Sequence, residues 1–335
     1  MLTLALLLGV AAAGTAITWK GGIWLEGAAD RLSRYYGLPA VVQGAIVAAV
    51  GSSFPELASV VIATLRYGAF EVGVAAVVGS AIFNVLVIPA LATLAQGQPL
   101  QTSRDLVYKE AQFYLLSLAA LFLAFALAVI YFPAGEDPLR GFFTREIAAG
   151  LLGLYALYVF IQLQDVHDHV PSPPPSIDLA REWLTLLGGL LIILVGVEGL
   201  VWAATGLGEY FDTPAFLWGL IVIAAGTSLP DAVISVRAAR AQRHAVSLAN
   251  VLGSNVFDLL VAVPVGVMLA GATAVNFDRT APMLGFLVGA TVAVFAAART
   301  DFEITNREAY LLLALYLAFV GWMLLESTGL VDVVP

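Results

Sequence analysis

The sequence predicts an all-α integral membrane protein: ten transmembrane helices arranged as two inverted five-helix repeats. Three observations carry this. Of 335 residues 61% are hydrophobic and 12% charged, against about 45–50% and 25% in an ordinary soluble domain. The apolar residues are gathered into ten stretches near the ~20 residues that cross ~30 Å of hydrocarbon. The second half of the chain also repeats motifs of the first, displaced by an offset of 175 residues.

The expected spans, in order, are 2–18, 39–66, 69–95, 107–131, 143–163, 183–206, 214–241, 244–271, 280–298 and 307–325. The first begins without a basic flank or a cleavage site, so it reads as a retained helix and not a signal peptide. Sorting the 15 Lys and Arg by alternate connections places Arg66, Arg140, Arg145 and Arg279 on one side and all the others on the opposite side. The positive-inside rule makes the richer side cytoplasmic and puts both termini outside. Between the halves runs the polar segment 164–182, where Pro171 and Pro173, Pro174 and Pro175 give a semi-rigid extended linker. The expected division is therefore 1–163, a cytoplasmic linker 164–182, and 183–335.

The repeat sets LPAVVQGAIVAAVGSSFPE, from Leu38, over TPAFLWGLIVIAAGTSLPD, from Thr213. Pro39, Gly44, Gly51, Ser53 and Pro55 fall on Pro214, Gly219, Gly226, Ser228 and Pro230. The match resumes one residue out of phase, VVGSAIFN (Val77 to Asn84) over VLGSNVFD (Val251 to Asp258), and Arg104 and Arg279 return to the first offset. Five helices per half is an odd number, so the repeats are inverted, a plan that builds a site at the membrane midplane.

Within spans 39–66 and 214–241, Glu56 and Asp231 lie near the centre, where a carboxylate costs at least ~2.5–3.5 kcal/mol unless it faces a cavity or a partner. Ser52 and Ser53 sit four and three residues before Glu56, on its helix face; Thr227 and Ser228 stand in the same relation to Asp231. Pro55 and Pro230 lack the N–H that would bond Gly51 and Gly226, so each helix is expected to kink there and release carbonyl oxygens. The next span of each half adds Ser80 with Asn84 and Ser254 with Asp258. Small-residue clusters alone serve close helix packing. Four clusters related by a repeat, three bearing an acid and the fourth an amide, go beyond packing. Hydroxyl, carboxylate, amide and carbonyl oxygens without imidazole or sulfur suit Na+ and Ca2+ better than zinc, copper or iron.

Other chemistries are disfavoured. A net charge of -9 fits no nucleic-acid surface, and the absence of cysteine excludes thiolate sites and disulfides. No G-x-x-x-x-G-K-[ST] element is present for ATP. No histidine lies in the interior of a span to serve a serine nucleophile, His244 standing at the edge of one, and no G-x-G-D motif supports an aspartyl protease using Asp231 and Asp258. Asp165, His167, Asp168 and His169 read as solvated linker residues, and Tyr155, Tyr158, Tyr310 and Tyr316 as interface or packing aromatics. Glu198, deep in an apolar span, falls opposite Ile23 in the repeat and reads equally as pathway lining or as packing.

With these motifs the sequence resembles the calcium/cation antiporter superfamily, sodium/calcium exchanger group, whose two alpha-repeats carry G-T/S-S-x-P-E/D and G-S-N/A-x-x-N/D elements. GSSFPEL with GSAIFN matches the first (51–84), GTSLPDA with GSNVFD the second (226–258). The resemblance implies a multi-pass protein of the cell (inner) membrane, in contact with lipid and not an enzyme, exchanging Ca2+ for Na+ by alternating access. The spans 2–18 and 183–206 would slide past the core, and no cofactor is implied. Carried over, the cation ligands are Ser52, Ser53, Glu56, Ser80, Asn84, Thr227, Ser228, Asp231, Ser254 and Asp258. Asp231 stands where many exchangers have glutamate, and Ala76 where many have asparagine; the motif combination is nearest the potassium-dependent branch. Three acids match three Na+, Ca2+ with K+, or Ca2+ with a proton, so coupling to Na+, K+ or H+ stays open, as does a passive channel.

Overall fold

The computed structural model describes residues 2–38, 47, 49–104, 106–164, 176–327 and 330–331. Among them nine helical segments are long and apolar enough to cross a bilayer, from Thr3–Tyr35 to Asn306–Ser327. The remaining expected span, 39–66, is described as α2 (Ala49–Ser52) and α3 (Phe54–Tyr67), following α1 (Leu2–Tyr35). The first half continues with α4 (Phe70–Gln96), α5 (Ala111–Tyr131) and α6 (Arg145–Gln164). The second half contains α7 (Leu179–Phe211), α8 (Ala215–Trp218), α9 (Ala224–Arg240), α10 (His244–Phe257), α11 (Val263–Ala270), α12 (Phe277–Arg299) and α13 (Asn306–Ser327). Pro39 and Gly44 of the repeat, and Asp165, His167, Asp168 and His169 of the linker, lie outside the described residues.

Two helices are longer than their hydropathy suggested. α1 runs 34 residues, not the expected 2–18, and α7 runs 33. At about 1.5 Å per residue each reaches about 50 Å, beyond the hydrocarbon thickness. Hydropathy falls after Thr18, but nothing stops the α1 helix until Gly37 takes a positive φ of 64°. Asp178 sets the start of α7, its side chain accepting a hydrogen bond from the Arg181 backbone N–H, so Leu179–Glu182 are helical and not linker. Glycines hold the two helices together. A Cβ on Gly14 would come within 2.7 Å of the Gly196 carbonyl oxygen, and one on Gly21 within 2.9 Å of that of Gly189. In the repeat Gly14 corresponds to Gly189 and Gly21 to Gly196, so the two contacts are images of each other across the pseudo-twofold axis.

The remaining helices form the core around α4, which is apolar on every side and buried along almost its whole length, as a central helix must be. Its repeat counterpart, Ser247–Ala270, is also largely buried. Two small antiparallel sheets tie the halves together: β1 (Leu100–Gln101) pairs with β4 (Glu303–Ile304), and β2 (Arg140–Phe143) with β3 (Thr273–Asn276). The last helices are capped locally. The Asn276 side chain accepts from the Asp278 N–H ahead of α12, and Thr305 with Glu308 makes a reciprocal capping box at α13.

The expected proline kinks take two different forms. In the first half the helix is interrupted, α2 ending at Ser52 and α3 beginning at Phe54 with Pro55 in its first turn, where no intrahelical N–H is needed. In the second half α9 continues through Pro230, and the irregularity is a π-helical turn, Gly219–Ile223, ahead of it. A second π turn, Asp258–Ala262, follows α10. Such a turn takes up an extra residue, and it coincides with the place where the repeat offset returns to 175 between Asp258 and Arg279.

Candidate cation-binding site

All ten candidate ligands are buried, from Ser52 at 3% exposure to Glu56, Ser80, Asn84 and Asp258 at 0%. Hydrogen bonds gather eight of them. Around Asp231, the Asn84 amide donates to Oδ2 at 3.3 Å and the Ser254 hydroxyl to Oδ1 at 3.5 Å. Ser52 and Ser254 share a hydroxyl hydrogen bond of 3.0 Å, and Ser53 donates to the Ser254 carbonyl oxygen at 3.3 Å. Around Glu56, Ser80 lies 3.0 Å from Oε1 and 2.7 Å from the Ser228 hydroxyl. The Ser80–Glu56 and Ser254–Asp231 contacts are equivalent under the repeat. Both occur because the hydroxyl of each central helix faces the carboxylate of the preceding span in the same half.

The other two behave differently. The Thr227 hydroxyl donates to the Ala224 carbonyl of its own helix at 3.3 Å. Asp258 has neither carboxylate oxygen hydrogen-bonded, and Glu56 Oε2 and Asn84 Oδ1 are likewise without partners among the described residues. A buried oxygen left unpartnered costs about 1–3 kcal/mol, more when charged, so these four acceptor atoms carry a cost that a bound cation would offset. No three His, Asp or Glu side chains among the described residues lie close enough to share one metal ion. Any single cation here therefore draws on hydroxyl and amide oxygens as well as acids, as hard cations do.

Close packing makes the arrangement possible. A Cβ on Gly79 would strike the Leu220 carbonyl and sit 2.7 Å from the Ala224 Cβ, so only glycine lets α4 approach the π turn closely enough for Ser80 to reach Ser228. The two ends of the site are not packed alike. A Cβ on Gly226 would meet Thr15 Oγ1 of α1 at 2.8 Å and the Leu200 methyls of α7 at 2.9 Å, whereas one on Gly51, the repeat equivalent, meets nothing within 4 Å. Among the described residues the α1–α7 pair is therefore packed more tightly against Gly226 than against Gly51.

Two asparagines absent from the sequence-derived set belong to the site. Asn250 donates to Asp231 Oδ1 at 3.4 Å. Asn255 accepts from the Asn84 amide at 3.0 Å and donates to the Ala81 carbonyl and to the Tyr114 hydroxyl, at 3.3 and 3.2 Å. Their repeat equivalents are Ala76 and Ala81, so looking for paired polar positions passed over both. Glu198 lies apart from the site: it pairs with Arg66 at 3.1 Å and accepts from the Tyr67 hydroxyl at 2.7 Å, joining α7 to α3.

A family model described as sodium/calcium exchanger protein matches residues 6–164 and 181–325, both halves and nearly the whole chain. The chain belongs to the sodium/calcium exchanger family. It is accordingly a transporter of the antiporter type and not an enzyme. Among curated relatives, the putative antiporter CaxA of Alkalimonas amylolytica is 27% identical over 255 residues, covering 76% of this chain and 77% of that protein. The sodium/calcium exchanger MaX1 of Methanosarcina acetivorans is 24% identical over 341 residues, with 92% and 95% covered. Solved structures of the sodium-calcium exchanger NCX_Mj share the fold; one superposes with a TM-score of 0.61 at 23% identity, covering 95% of this chain and 99% of that one.

Proposed function

We propose that this exchanger moves Ca2+ against Na+, the two ions competing for one midplane site made by Ser52, Ser53, Glu56, Ser80, Asn84, Thr227, Ser228, Asp231, Ser254 and Asp258. The observation that carries the reading is the set of unpartnered buried oxygens on Glu56, Asn84 and Asp258 amid hydroxyl donors. Bare acids at this depth are expensive to move across a membrane, and ions that neutralise them make the crossing cheap, so only loaded states exchange sides. The names of relatives such as MaX1 support the same pair of ions. Alternating access would use the uneven packing of α1 and α7, tighter on Gly226 than on Gly51, with sliding of this pair exchanging the two.

Under this reading each five-helix half, 1–163 and 183–335, supplies half of the ligands, and the 164–182 linker lies on the cytoplasmic side of the cell membrane. The deciding experiment is radiolabelled Ca2+ uptake into Na+-loaded proteoliposomes, with K+ and pH varied independently. Uptake that needs internal Na+ supports the exchange; uptake indifferent to any counter-ion defeats it. A requirement for K+, or replacement of Na+ by H+, reassigns the coupling ion. Single cysteines at Ser176 and Leu330, in this cysteine-free chain, should label from the cytoplasmic and the external face respectively.

A further inference from the structure

The two sides of the site are related by the repeat, yet they differ in charge. Gly22 of α1 packs on Pro230, where a Cβ would lie 3.3 Å from the proline ring. Glu26 is one turn further along the same face of α1, within electrostatic range of Asp231, Asp30 and Arg237. Asp30 is already engaged by Arg34. Glu26 takes part in no hydrogen bond or ion pair among the described residues, and it is half-buried, part-way between the fully buried Asp231 and the exposed Arg237.

On the opposite side, the repeat equivalents of Glu26 and Arg237 are Val201 and Ile62. Val201 is fully buried, and Ile62 packs against the same apolar cluster with Ala58, Ala63 and Val197. Glu26 is therefore an unpaired carboxylate, whereas its mirrored position is a packed aliphatic side chain and the nearest acid there, Glu198, is already held by Arg66. A carboxylate earns no packing energy in such a position and cannot be explained by the repeat, but it attracts a cation arriving from the Arg237 face.

We propose that Glu26 is a cation-capturing residue of the Arg237-side access route, handing ions to and from Asp231, and that it makes the two faces of the exchanger unequal in affinity. This rests on the exchange proposed above. Being on α1, the charge would move with the gating pair.

The test compares the two faces. In proteoliposomes of defined orientation, Glu26→Gln should raise the half-saturating Ca2+ concentration at the Arg237 face about tenfold, the size expected of one carboxylate at a short, partly screened distance, and leave the opposite face within about twofold. Glu26→Asp should stay close to wild type. Equal changes at both faces, no change at either, or an aspartate variant as impaired as the glutamine variant would overturn the assignment. A readout independent of exchange is thiol accessibility. Glu26→Cys should react with a charged methanethiosulfonate from the Arg237 face and be slowed by Ca2+ or Na+, whereas Val201→Cys should be inert; a Glu26→Cys that ions do not protect refutes the capture role. Wild-type protein without Na+-driven Ca2+ flux, but with this labelling pattern, would defeat the exchange reading and leave the capture role standing.

Discussion

Asp258 is the residue at which the two ligand sets part company. Its counterpart Asn84 donates an amide hydrogen to Asp231, whereas two carboxylates have no hydrogen to share, and both Asp258 oxygens stand bare. Asp258→Asn restores a donor at the mirrored position. In cation-free buffer we expect this variant to melt about 2–4 °C above wild type, in line with removing an uncompensated buried charge, and Ca2+ to shrink the difference; a lower melting temperature would contradict it. Glu56→Gln and Asp231→Asn keep the shape but remove charge that offsets ion desolvation, and each should abolish Ca2+ uptake with normal membrane insertion. Asn255→Ala should weaken apparent Ca2+ affinity about tenfold, because it strips the Asn84 amide and the Tyr114 hydroxyl of a partner together. The acids and hydroxyls were legible in the sequence because polar groups in apolar spans stand out and recur at a fixed offset. Asn250 and Asn255, though part of the motif pattern, stayed outside the ligand set, because alanine occupies the equivalent positions and a repeat displays only what it duplicates.

At the scale of elements, the sequence located the spans well wherever hydropathy and helix ends coincide, as at 107–131. It failed for α1, since hydropathy measures solvent preference and a helix ends only where the backbone is capped or broken. It could not foresee how each proline would act either: Pro55 begins a new helix while Pro230 is absorbed in a continuous one, a choice set by neighbours distant in sequence. The α1–α7 pair makes its own prediction. Its glycines bring backbone against backbone, and a side chain of any size forces the pair apart. Gly196→Leu, which would collide with Thr18 and Gly14, should slow exchange at least tenfold while leaving equilibrium Ca2+ binding within about threefold; unimpaired exchange would show that this contact is not part of the moving unit.

Across the whole molecule, the sheets and the glycine pair divide the chain in a way that the boundary between the repeats does not. β1 with β4 and β2 with β3 lock the first half to the second, so under the proposed mechanism the rigid body would be the core taken from both halves and the mobile body α1 with α7. Gln101 and Glu303 are paired in register, and joining them through a Gln101→Cys/Glu303→Cys disulfide should leave Ca2+ uptake unchanged. Bridging Arg66→Cys on α3 to Glu198→Cys on α7 with a short bifunctional maleimide should stop it, because those positions span the two bodies. Inhibition by the first link, or none by the second, would require the halves themselves to rock.

The same sheets constrain how the molecule is made. Strand β1 leaves the ribosome about two hundred residues before β4, and β2 well over a hundred before β3. A nascent first half therefore carries two open strand edges and an incomplete polar cluster around Glu56 until the last helices are synthesised. Assembly must wait for the end of translation, and a chain stalled after α11 would offer quality-control proteases both its unpaired strands and its bare acids.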